Sequence, residues 1–95
     1  MTITHNGNSV TIVGNIKSIS DYQTIKSTFD AIIQEHKSIV LTITESISIT
    51  SSVIGYFNKL VLKDGIKIDM RVGNNQLMEL VDELSLKSVF NARKI

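Results

Sequence analysis

Apolar positions recur along this chain in two rhythms, and each change of rhythm marks an element. The chain opens with two β-branched runs, Thr2 to Thr4 and Ser9 to Ile16, separated by His5-Asn6-Gly7-Asn8. Asn6-Gly7 between such runs predicts a hairpin, because both residues tolerate the positive φ of a type I′ turn. Ser20-Asp21-Tyr22-Gln23 has the capping-box pattern, and Tyr22, Ile25, Phe29, Ile32, Ile33 and His36 follow at three- and four-residue spacing. That spacing predicts an amphipathic helix starting at the box. Ser38 to Thr44, "SIVLTIT", is a strand by its β-branched content. From Ser51 the period lengthens again. Val53, Phe57, Leu60 and Val61 share a helical face, and Gly65 stands where the helix would stop. Ile66 to Val72 alternates with a period of two, as a strand does. Gly73-Asn74-Asn75 then caps a third helix with the apolar face Leu77, Leu80, Val81 and Leu84. Leu86, Val89 and Phe90 predict a final helical turn on the core.

The predicted order is β-β-α-β-α-β-α. Strand-helix-strand units need parallel neighbours joined by right-handed crossovers, and the hairpin adds an antiparallel edge. The expected fold class is α/β, a small mixed β-sheet with helices packed on it. No proline, linker, charge block or repeat interrupts the chain, so residues 1–95 read as one domain.

Composition narrows the function classes. At 42% hydrophobic and 20% charged, the chain has the make-up of a folded domain rather than a disordered one. A formal net charge of +1, with no basic patch interleaved with aromatics, argues against nucleic acid or an anionic membrane as partner. The absence of cysteine excludes disulfides and thiolate metal sites. "MTITHNGNSV" lacks the basic start and apolar stretch of a signal peptide, and no segment reaches the roughly 18 apolar residues of a membrane span. The expectation is a cytoplasmic protein, not itself a membrane protein.

Catalytic chemistry is poorly supplied, and the expectation is that the chain is not an enzyme. The only histidines are His5, beside the hairpin turn, and His36, which reads as a helix-end residue favoured by the dipole. A Ser-His-Asp arrangement needs one of them next to a serine. The strand-turn-helix at Ser51 lacks the glycines of a nucleophile elbow. No H-x-x-x-H pair, calcium loop or phosphate-binding glycine loop is present, and Glu79, Asp82 and Glu83 read as the solvated face of the third helix. No metal and no cofactor is expected.

What remains is Thr50-Ser51-Ser52, three hydroxyls in line where a strand gives way to a helix. Serine and threonine are preferred N-caps, yet only one residue can be the cap. A hydroxyl in the first helical turn also faces unpaired N–H groups and the positive end of the dipole, so a phosphate added there is stabilised. Cap and modification target are both open at this point.

Leu41 to Phe57, "LTITESISITSSVIGYF", resembles the central segment of STAS domains, the family of bacterial anti-sigma factor antagonists. In that family an aliphatic strand runs through a loop into Asp-Ser-Ser-Gly-Leu-Gly at a helix start. Aligned without gaps, Ser51 and Ser52 fall on the two family serines, Ile54 on the leucine and Gly55 on the second glycine. "VTIVGNI", Val10 to Ile16, is similar to the family's second strand, and "LMELVDELSLKSVF", Leu77 to Phe90, to its closing helix and apolar turn. The element order is also the family's.

The resemblance implies a non-enzymatic, regulatory protein-protein interaction module in bacterial signalling to transcription. The first serine of the pair, here Ser51, would be phosphorylated by a serine kinase that is also an anti-sigma factor, with Ser52 and Thr50 as lesser candidates. The unphosphorylated form would bind that partner and release a sigma factor or another client. The implied docking surface comprises Lys17, Thr50, Ser51, Ser52, Val53 and Tyr56. Three of these depart from the family pattern. Thr50 replaces an aspartate, Val53 a glycine and Lys17 a second aspartate, which makes the surroundings of Ser51 more positive. The alternative implied is a constitutive STAS-like subunit of a membrane transport or other signalling complex, working without phosphorylation.

Overall fold

In the computed structural model, which describes residues 1–95, β1 (Thr2–Asn6) and β2 (Ser9–Val13) pair antiparallel with Asn6 opposite Ser9. The two-residue turn is therefore Gly7-Asn8, not Asn6-Gly7. Only Gly7 has a positive φ, 61°. That is the pattern of a type II′ turn, which needs glycine at its first central position alone. β2 ends at Val13 rather than Ile16, because Gly14 turns the chain and sends Ile16 into the core.

Helix α1 (Ile19–Ile32) starts earlier than the predicted box at Ser20. Ser18 is the N-cap and accepts the Asp21 N–H at 3.0 Å, while the Asp21 carboxylate accepts the Lys17 N–H at 3.1 Å. Two otherwise unpaired donors are thus satisfied by a pair that starts at Ser18, and Ser20 falls inside the first turn. The helix closes at Ile32 with Ile33 as C-cap, so His36 lies beyond it and not on its face.

β3 (Ser38–Thr44), α2 (Ser51–Leu62) and β4 (Lys67–Val72) follow the periodicity closely. At the end of α2 the Ile66 N–H reaches back to the Leu60 carbonyl at 2.8 Å, with Gly65 at φ 68° between them. This left-handed residue satisfies carbonyls that the helix leaves open. α3 (Asn75–Glu83) is capped by Asn74, whose side chain accepts the N–H groups of Gln76 and Leu77. Leu77 and Val81 are buried, but Leu84 is 46% exposed and leaves the predicted face.

The predicted last helical turn is a single turn and not a helix: the Phe90 N–H donates to the Leu86 carbonyl at 3.0 Å, and Ser85 and Asn91, at positive φ values of 60° and 48°, bound it on either side. A short β5 (Arg93–Lys94) then pairs parallel with β4, a strand too short for any period to show. Phe90 is buried nevertheless, as its place in the pattern predicts.

The sheet order is β1-β2-β3-β4-β5, parallel from β2 onward. Because the order advances in one direction, right-handed crossovers place all three helices on the same face. Alternation along the strands agrees. Val10, Ile12, Ile39, Leu41, Ile43, Ile68, Met70 and Val72 are buried, while Thr42, Asp69 and Arg71 on the other face are only partly covered.

Every aromatic residue joins one seam between the helices. Phe29 stacks on Phe57 with centroids 5.1 Å apart, Phe90 meets Phe57 edge-on at 6.0 Å, and Tyr56 bridges to Tyr22 at 6.4 Å. Truncating the central member is expected to cost most. Phe57→Ala should destabilise the chain by about 3–5 kcal/mol in urea unfolding. Ser85→Gly should instead stabilise it by about 0.5–1 kcal/mol, since it relieves a left-handed serine at the end of α3.

Candidate functional site

β2 and β3 are parallel neighbours, so the loops that follow them meet at the same edge of the sheet. The Gly14 N–H donates to the Thr44 carbonyl and the Ile47 N–H to Asn15 Oδ1, both at 3.0 Å. Ser46 is fully buried and donates its hydroxyl to the Ser48 carbonyl at 2.9 Å. The first two bonds tie the β2–α1 loop to the end of β3 and the loop after it, and the third braces the β3–α2 loop internally.

Here the three hydroxyls separate into roles. Thr50 is the N-cap of α2, and its Oγ1 accepts the Val53 N–H at 3.4 Å. Ser51 and Ser52 are exposed, and neither hydroxyl is engaged by another group of the chain. The first turn of α2 contains no carboxylate, whereas that of α1 holds Asp21. The Asp21 carboxyl is held below the usual aspartate range chiefly by the Lys17 N–H it accepts. The positive end of α1 is therefore already compensated, and that of α2 is not.

Lys17, Ser18, Ile19, Tyr22, Thr50 and Ser52 line a cleft of about 140 Å³ between the helix starts. The structure thus brings Lys17 together with Thr50 and Ser52, while Ser51 stands exposed next to them as the first residue of α2. A larger groove of about 690 Å³ lies against β4 and β5. Its lining is almost wholly polar and carries both signs of charge, without the apolar walls that usually hold a small molecule. Size alone does not make it the site.

Two residues expected at the docking surface are elsewhere. Val53 has no exposed surface, and Tyr56 is only 5% exposed. Both lie on the stripe of α2 that faces the core with Phe57 and Leu60, so neither can meet a partner. The branched side chain of Val53 therefore fills the core instead of protruding beside Ser51.

Tyr56 has a different task. Its hydroxyl donates to Asp30 Oδ1 at 2.6 Å, and Lys26 Nζ pairs with Asp30 Oδ2 at 2.8 Å and lies 5.8 Å from the centre of the Tyr56 ring. The Lys26 ammonium, with the Tyr56 hydroxyl, holds the Asp30 carboxyl below the usual aspartate range. Burial, with Asp30 adjacent, pushes the Tyr56 hydroxyl well above the usual tyrosine range, so it remains a neutral donor. The Lys26-to-Asp30 spacing is legible as a helical pair. Nothing in the chain announces its tyrosine partner on α2.

Sequence patterning also misses the apolar rim. Ile19, at the first turn of α1, is 78% exposed, and Ile47, in the loop bonded to Asn15, is 51% exposed. Ile19 and half-buried Tyr22 put apolar surface on the cleft that Thr50 and Ser52 line, and Ile47 adds exposed apolar surface on the β3–α2 loop. No family model, curated protein or solved structure matches the chain. No helix is long and apolar enough to cross a membrane.

The clamp between α1 and α2 has a pH signature. Because the folded-state pKa of Asp30 lies below the ordinary 3.8, its contribution is present above that value and is lost as the pH falls through the lower one. Tyr56→Phe should cost about 1–2 kcal/mol at neutral pH and flatten the loss of stability below pH 4, as followed by urea unfolding across that range. Thr50→Ala, which removes the cap of α2, should cost about 0.5–1 kcal/mol in the same assay.

Proposed function

We propose that this chain is a STAS-like regulatory module that binds a protein partner, with phosphorylation of Ser51 weakening the complex. The observation that supports it most is the division among the hydroxyls. Thr50 is occupied as the cap, while Ser51 is exposed at the first position of a helix whose initial turn holds no carboxylate. A phosphoryl group there brings about −1.5 to −2 charges to the uncompensated positive end of α2, with Lys17 on the neighbouring loop. The fold does not have to rearrange to receive it. Exposed Ile19 and Ile47 offer the partner apolar area, and a doubly charged phosphate on Ser51 would have to be desolvated on docking.

The partner matching the sequence resemblance is an anti-sigma factor that is also a serine kinase. Phosphoryl transfer then belongs to the partner, and this chain supplies the acceptor hydroxyl. Lys17, Thr50, Ser51 and Ser52 form the polar centre of the docking surface, and the two isoleucines replace Val53 and Tyr56 in it.

Two tests bear on this reading. Ser51→Asp should stabilise the isolated chain by about 0.3–1 kcal/mol at low ionic strength, a gain that fades with added salt. In capture experiments from native lysate, wild type and Ser51→Ala should retain a serine-kinase partner while Ser51→Asp loses it about tenfold or more. Equal capture of a membrane-associated ATPase by all three forms would instead favour the constitutive subunit.

A further inference from the structure

The two histidines that look isolated along the chain meet in one cavity, at the end of the sheet away from Ser51. His5 on β1 and His36 beyond α1 line a space of about 190 Å³ together with Gly7, Ala31, Ile32 and Glu35. They are the only histidines in the protein. Neither imidazole, nor the Glu35 carboxylate, is engaged in a side-chain hydrogen bond or an ion pair. α1 ends at this cavity with no basic residue in its last turn, so its negative pole is uncompensated. Glu35 adds a formal negative charge to the same place.

We propose that this cavity binds a divalent first-row transition-metal ion through the imidazoles of His5 and His36, with water completing the coordination. Imidazole suits zinc, copper and nickel, whereas magnesium and calcium require sets of oxygen ligands. Two nitrogens from separate elements therefore select the ion by type. No three His, Cys, Asp or Glu side chains stand close enough together to share an ion. Glu35 accordingly acts by its charge, and the site has two protein ligands. An ion held there joins the hairpin to the link between α1 and β3, so its binding stabilises the folded chain. This site is independent of the Ser51 reading.

Zinc chloride titrated into the full, untagged chain at pH 7.5, with calorimetry and thermal melts in parallel, tests the site. One zinc per chain is expected, with a melting temperature that rises with zinc and does not move with magnesium. Loss of an outer partner of a metal ligand already costs about 10–100-fold in affinity. His5→Asn and His36→Asn should therefore each weaken binding by about tenfold or more, and Glu35→Gln by a smaller factor. His5 is exposed, so its variant keeps the test readable if His36→Asn unfolds. Zinc binding unchanged in His5→Asn, or no binding at about 1 mM zinc, overturns the proposal.

Discussion

The contact on which the rest of this molecule depends is the aromatic packing of α1 against α2. Phe29 stacked on Phe57, with Tyr56 and Phe90 closing around them, fixes the helices to each other and to the sheet. The Tyr56–Asp30 hydrogen bond adds direction to a contact that burial alone leaves free to slide. Because β2 and β3 are parallel neighbours, the helices that follow them start at one edge, and the seam holds those starts together. The cleft between Lys17 and Thr50 is a consequence of that packing.

The two helix starts are built alike and charged differently. Each has a hydroxyl cap, Ser18 for α1 and Thr50 for α2. Asp21 then neutralises the first of them, while the second is left with serines only. Added negative charge gains most where no carboxylate already sits, which favours the first turn of α2 over that of α1 and holds for Ser51 and Ser52 alike. Val53 and Tyr56 face the core from the same helix, Val53 through packing and Tyr56 through packing and its hydrogen bond to Asp30. Their role is to keep α2 where its exposed first turn can be reached.

Elements with several repeats of a period were legible in the sequence. The strand Ser38–Thr44 and the helix starting at Ser51 match the structure at those boundaries, because alternation and caps agree there. Errors came where a local rule had two solutions. Ser18 and Ser20 both offer a cap, and Asp21 decides for Ser18 by reaching back to Lys17. Gly7 can serve either hairpin register, and the Asn6–Ser9 pairing decides it. β5 was invisible because two residues carry no period. At the site, the place of Ser51 at a helix start could be read from the chain, while Lys17 was expected nearby only from the resemblance. The exposure of Ile19 and Ile47, the Tyr56–Asp30 bond and the meeting of His5 with His36 depend on how separate elements dock, and no local pattern encodes that.

The most direct measurement of the central claim is phosphopeptide mapping, with intact mass, of the protein isolated from its native cells. The account predicts a single added phosphate carried by the peptide containing Ser51 and absent from cells that carry Ser51→Ala. A phosphate that persists in Ser51→Ala, or a protein that is never modified while bound and released by its partner, would contradict it.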